Sequence, residues 1–215
     1  MIIKYFGHDE FMLETADGIK ILTDPYDPEM LSLPTKNHKV DIVTVSHLHG
    51  DHSYVKKAVG HPMVLASEID FDFDVLRISA IKSFHDENQG ALRGENLIFL
   101  YETEGLRLAH LGDLGHIPND KQIEFLRDLD ILFLPIGGKY TIDAKAARQT
   151  AQILKPRVII PMHYKLENGG LKDIKGLDVF LQEMQNIKTS YVNLLRVTKQ
   201  DISELAPITV INPDL

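Results

Sequence analysis

At 215 residues, with 44% hydrophobic and 25% charged side chains, the chain has the balance of a globular protein able to bury a substantial core, which excludes a disordered or collagen-like one. Its net charge of −8 argues against broad coating of nucleic acid or of an anionic membrane, although bound cations would still make a local site positive. Cysteine is absent, so disulfides, thiolate nucleophiles and Cys-held zinc are excluded, and nitrogen and oxygen are the remaining metal donors.

Short strands are expected first, at 2–6, 11–14 and 19–23, punctuated by Gly7, Asp17-Gly18 and Asp24-Pro25. A Pro-rich loop at 25–34 leads to the β-branched apolar run 40–46, the pattern of a buried strand, which ends directly on His47. A short helix is expected after Asp51, then strands at 62–66, 75–84, 96–102 and 106–110. The second half alternates: helix 120–129, strand 131–135, helix 143–154, strand 157–161, helix 177–187 and strand 191–197. Strands first and strand–helix alternation afterwards, with no linker, predict one α/β layered domain over residues 1–215. Positions 1–10 hold no basic stretch followed by a long apolar one, and no apolar run approaches the ~20 residues of a membrane span. A cytoplasmic protein with no membrane partner is therefore expected.

Ten histidines are present, and their placement carries the functional reading. His47 and His49 follow the run VDIVTVS, His85 follows ISAIKSF, Asp113 follows LRLAHLG and His163 follows RVIIPM. In α/β proteins, sites form beyond the carboxyl ends of strands, and four such ends each deliver a candidate metal ligand. In extended chain, residues i and i+2 point the same way, so His47 and His49 can hold one cation. Gly50 permits a turn, after which Asp51 and His52 project differently and His52 can reach a second metal. Asp113, in a turn flanked by Gly112 and Gly115, is the candidate for a carboxylate shared by the two. His38 and His61 are read as ordinary surface or core residues, and His110 as a supporting or core group.

The motif HLHGDH, followed in order by SFH at 85, LGD at 113 and PMH at 163, resembles the metallo-β-lactamase superfamily. GHDEF (7–11), LTDPY (22–26), HLGDLGH (110–116), PIGGKYTIDAKAA (135–147) and KPRVIIPMHY (155–164) resemble a narrower single-domain branch. That branch includes ascorbate-6-phosphate lactonase-like and uncharacterised metal-dependent hydrolases. The resemblance implies a four-layer αββα sandwich with two divalent metal ions, zinc or manganese first and iron as the further candidate, at one edge. It assigns His47, His49 and His85 to one metal and Asp51, His52 and His163 to the other, with Asp113 bridging. It also implies that Asp24 orients a ligand histidine and that His8 faces the site. The long insertion of RNA-processing relatives is missing, and position 49 is His rather than the Glu of di-iron oxygen reductases.

The expected chemistry is hydrolysis: two cations sharing a water supply hydroxide at neutral pH for attack on an ester, lactone or phosphodiester of a small, anionic molecule. Asp51, Asp113 and His116 are the catalytic candidates, with His116 as a proton donor to the leaving group. Lys139, Tyr140 and Tyr164 are candidate pocket residues, while Gly137-Gly138 is read as a tight backbone path rather than a phosphate loop. Nucleic acid is not the expected partner, and the sequence leaves a homo-oligomer open. Two alternatives stand beside this reading: a phosphodiesterase or nuclease acting on nucleotides or nucleic acid, and a non-catalytic metal-binding or sensing domain.

Overall fold

The computed structural model describes residues 1–34 and 36–215. A six-stranded sheet runs in the order Leu195–Arg196, Ile2–Tyr5, Phe11–Glu14, Lys20–Thr23, Ile42–Thr44, Met63–Leu65. Its first pairings are antiparallel and its last two are parallel. An eight-stranded sheet runs Thr189–Val192, Ile208–Ile211, Val158–Met162, Ile131–Pro135, Leu106–His110, Glu95–Thr103, Leu76–Phe84, Ile69–Asp72. It is parallel from its first strand to Leu106–His110 and antiparallel from there on.

The two sheets share one core. Ile3, Tyr5, Phe11 and Leu13 of the first pack with Ile98, Leu108 and Phe133 of the second, and the Phe11 and Phe133 rings lie 4.6 Å apart. Ile131–Pro135 and Val158–Met162 are buried at every position, as parallel strands covered on both faces must be. The helices Ala144–Leu154 and Leu177–Glu183 pack against one another and join that core through Ala147, Ala151 and Phe180. Over the six-stranded sheet the covering layer is thin. Phe6, Leu22, Tyr26, Leu31 and Val43 form a separate cluster under the single helical turn Pro28–Leu31. The expected α/β sandwich is what the chain forms, with its helical cover concentrated on one side.

Several local expectations need correction. No helix begins at Asp51; residues 50–52 are a turn, and the 3-10 turn Val55–Lys57 follows. Inside the expected 25–34 loop, Asp27 caps the turn Pro28–Leu31 by accepting from the Glu29 N–H at 2.9 Å. The expected strand at 191–197 is really two: Thr189–Val192 in one sheet and Leu195–Arg196 in the other, so the chain crosses between sheets there. The strands Ile69–Asp72 and Ile208–Ile211 were not foreseen. Among the described residues, no helix is long and apolar enough to cross a membrane.

Candidate metal centre

The cluster forms where strands of both sheets end. His8 and Asp9 lie in the turn after Ile2–Tyr5, and Asp24 follows Lys20–Thr23. His47 follows Ile42–Thr44, His85 follows Leu76–Phe84, Asp113 follows Leu106–His110 and His163 follows Val158–Met162. His8, Asp24 and His163 all have left-handed backbone, at φ 57°, 37° and 50°. Non-glycine residues adopt that conformation at a cost, and it concentrates at functional sites. Here it is fixed by packing: the His163 N–H donates to the His8 carbonyl at 3.0 Å, and the Tyr5 hydroxyl donates to the same oxygen at 3.0 Å.

One oxygen lies at the centre. Asp113 Oδ2 stands 3.0 Å from His85 Nε2, 3.3 Å from His163 Nε2, 3.4 Å from His52 Nε2 and 4.0 Å from His47 Nε2. The Asp113 N–H donates to Asn96 Oδ1 at 3.0 Å, and Asn96 Nδ2 donates in turn to Ser83 Oγ and the Leu111 carbonyl. The Asp113 turn tolerates nothing larger at its flanks. A Cβ on Gly112 would lie 2.4 Å from Asn96 Oδ1, and one on Gly115 would lie 2.3 Å from the Asp86 nitrogen.

Hydrogen bonds behind the cluster set the imidazole tautomers. Asp24 accepts from the Ser46 N–H at 2.7 Å, the Ser46 hydroxyl at 2.5 Å and His52 Nδ1 at 3.0 Å. With its proton given to Asp24, Ser46 Oγ is an acceptor for His47 Nδ1 at 2.9 Å. His47 thus carries its proton on Nδ1 and turns a lone pair on Nε2 inward; His52, held charged against its burial by Asp113, Asp24 and Asp9, would do the same once a cation takes the place of its Nε2 proton. Those Nε2 atoms are buried without a hydrogen-bond partner, as are both ring nitrogens of His163 and Asp113 Oδ1. Orphaned donor atoms converging this closely fit a bound cation, and a carboxylate behind a ligand histidine is its usual support. Three ligand-sized groups result: His47, His49 and His85; His47, His52 and Asp113; and His8, Asp9, His52 and His163.

Charge in the cluster is polarised between its two ends. Burial and the neighbouring His52 push His47 down to about 3, keeping it neutral. His163 goes the other way: burial opposes its charge, but Asp113 and Asp9 outweigh that and hold it up to about 9. A cation seated there would take the place of the His163 proton. Asp51, with Oδ2 3.2 Å from His8 Nε2, is held below the usual carboxylate range; its burial works against this, but His8 and His52 prevail.

Residues 2–163 match the family described as the β-lactamase superfamily domain. The chain belongs to the metallo-β-lactamase superfamily. As a member, it is 30% identical over 194 residues to a UPF0173 metal-dependent hydrolase of Pyrobaculum islandicum, covering 76% of this chain and 84% of that one. A namesake from Alkaliphilus metalliredigens is 28% identical, covering 92% of this chain and 97% of its own length. A solved Thermotoga maritima structure, described as a Zn-dependent hydrolase of the superfamily, superposes with a TM-score of 0.79 at 33% identity, over 98% and 97% of the two chains. This superfamily member is thus a metal-dependent hydrolase whose His/Asp cluster is able to hold metal.

Six of the seven residues expected as ligands fall in these three groups, and His8 joins them; Asp51 lies alongside, 3.2 Å from His8 Nε2 and 3.9 Å from His52 Nε2, and Asp24 stands behind His52. His116 does not join them. Its Nε2 accepts from the Phe84 N–H at 3.3 Å and its Nδ1 donates to the Ile117 carbonyl at 2.8 Å, so it has no proton to aim at the cluster. It braces the strand end that carries His85. Tyr164 lies in the core beside Tyr5, with rings 6.3 Å apart, rather than in a pocket. Lys139 and Tyr140 do line a cavity of about 450 Å³ with His85, and both contact Asp173. Gly137 packs on the His163 carbonyl, where a Cβ would come within 2.3 Å. Sequence reading missed Asp9, Asn96 and Arg93. Arg93 lines both that cavity and a neighbouring one of about 530 Å³ beside His47 and His49. The loop bearing it is held by Asp86, whose carboxylate accepts four backbone N–H bonds, from Asn88, Gly90, Leu92 and Arg93.

Proposed function

We propose that the chain is a binuclear hydrolase of a small anionic substrate, cleaving an ester, lactone or phosphodiester bond. The observation that carries this reading is the approach of four imidazoles to the single oxygen Asp113 Oδ2. An outer cation would be held by His47, His49 and His85, and an inner one by Asp51, His52 and His163, with Asp113 shared. Bound divalent ions, zinc or manganese, would activate water near neutral pH and polarise the electrophile.

The remaining work falls to side chains of the chain itself. Asp24 and Ser46 keep the His52 and His47 protons on the far ring nitrogens, so the inward lone pairs stay available. His8 keeps Asp51 ionised and aimed inward. Arg93 binds the substrate anion: among the described residues it pairs with no carboxylate, whereas Lys82 and Lys139 are neutralised by Glu95 and Asp173. Leu48 and Leu92, 83% and 70% exposed, line the two cavities and suit a substrate with an apolar portion. A small molecule fits cavities of this size, and nucleic acid is not the partner this reading needs.

The test is elemental analysis joined to a hydrolysis panel of esters, lactones, phosphodiesters and nucleotides with zinc, manganese and iron. Two metals per chain, turnover of at least one small anionic substrate, and loss of that turnover in a folded Asp113→Ala variant are expected. A metal-loaded protein inert across the panel would remove the reading.

A further inference from the structure

Asp9 is completely buried, yet neither of its carboxylate oxygens has a hydrogen-bond partner. Its Oδ2 lies 3.7 Å from His52 Nε2 and 3.6 Å from His8 Nε2. Donor atoms of His8, Asp9, His52 and His163 all fall within 4.8 Å of one another. A buried carboxylate without donors is costly to keep, so a native structure that retains one calls for a charge to meet it.

Its placement is enforced by the backbone. The Asp9 carbonyl accepts from the Thr23 hydroxyl at 2.9 Å and from His110 Nε2 at 3.0 Å. His110 Nδ1 accepts from the Gly112 N–H at 3.2 Å, which puts the His110 proton on Nε2, where it meets Asp9. One imidazole therefore ties the turn carrying Asp9 to the turn carrying Asp113. Glu10, next in sequence, is directed elsewhere, onto Lys57 at 2.6 Å. Two adjacent acids thus have opposite fates, one neutralised by a lysine and one left free toward the histidines.

We propose that the Asp9 carboxylate is a further ligand of the inner cation, and that it biases that position toward a hard ion such as Mn(II) over Zn(II). This rests on the binuclear reading above. With Asp9 the inner donors become two imidazoles and the carboxylates of Asp51, Asp113 and Asp9, whereas the outer position keeps three imidazoles and the shared Asp113. Carboxylate oxygen suits manganese and imidazole suits zinc. The two positions would therefore differ in the metal they select.

The test compares wild-type protein with Asp9→Asn and Asp9→Ser, each stripped by chelation and titrated with Mn(II) and Zn(II). Mn(II) binding is followed by electron paramagnetic resonance, metal content by elemental analysis, and metal-free stability by thermal melting. Wild type is expected to hold two metals. In both variants Mn(II) affinity at one position should fall by at least about 10-fold, with the other position still filled by zinc. Metal-free melting shows which variants are folded, and Asp9→Ser keeps the test open if Asn impairs folding. Two metals and unchanged Mn(II) affinity in the folded variants would overturn the Asp9 assignment alone. One metal in wild type would remove the binuclear reading and this assignment with it.

Discussion

His52 Nδ1 donates to Asp24 Oδ2 at 3.0 Å, and that carboxylate also holds Ser46 by its N–H and its hydroxyl. One acid thus orients His52 directly and His47 through Ser46, two imidazoles whose ring centres lie 4.2 Å apart beside Asp113. Asp24→Asn should therefore weaken metal binding by about 10- to 100-fold while the fold persists. Chelator competition on both proteins measures it, and equal affinities would show that Asp24 only shapes the turn before Pro25.

Arg93→Gln should raise KM for anionic substrates by about 10-fold or more and leave kcat within a few-fold, since a uniform binding contact is removed. Neutral analogues should be unaffected. An equal loss for charged and neutral substrates would place Arg93 outside substrate recognition.

Lys57 is buried, stands 3.3 Å from the centre of the Tyr26 ring and is the ion-pair partner of Glu10. Breaking a buried pair from one side costs about 3–5 kcal/mol, because the remaining charge is stranded. Lys57→Met should destabilise the protein by that order in denaturant unfolding, and adding Glu10→Gln should recover much of it. A double variant no more stable than the single would show that Lys57 acts through packing on Tyr26 alone.

His38, stacked on Phe6 with ring centres 4.3 Å apart, is pushed down to about 4 by burial and then by Lys57 and Lys36. The unfolded chain takes up this proton near pH 6.5, the folded chain only near 4. Stability from the neutral ring is therefore complete above 6.5 and lost as pH falls from 6.5 to about 4. Urea midpoints measured across that window should drop more steeply for wild type than for His38→Gln. Parallel curves would be inconsistent with the shift.

Gly115→Ala would drive a Cβ into the backbone of His85 and Asp86, at 2.3 Å from each. Neither turn can yield without moving a cluster residue. A loss of about 3 kcal/mol or more is expected on unfolding, together with a weakened outer metal position in the same titrations.

Much of the centre was legible because each donor follows an apolar strand, so strand recognition located His47, His85, Asp113 and His163 together. Directions were harder to read. His116 is three residues past Asp113, but sequence distance does not reveal that both its nitrogens serve the backbone. Asp9 resembles a turn former in GHDEF, and only the sheet packing that brings His52 and His110 beside it shows otherwise. Arg93 depends on how Asp86 gathers its loop, which no periodicity records. Ile208–Ile211 is buried at every position and shows no alternation, Ile69–Asp72 is a mostly exposed edge strand, and the crossing at 193–194 hides inside what looks like one strand.

That crossing has a consequence for biosynthesis. Ile3 pairs with Leu195, 192 residues later, so Ile2–Tyr5 is synthesised long before its outer neighbour exists. Until then, Ile2–Tyr5 presents an open edge to any other nascent chain. Loop closure over such a separation is slow, and it makes the interval before residue 196 emerges the period of greatest exposure to aggregation.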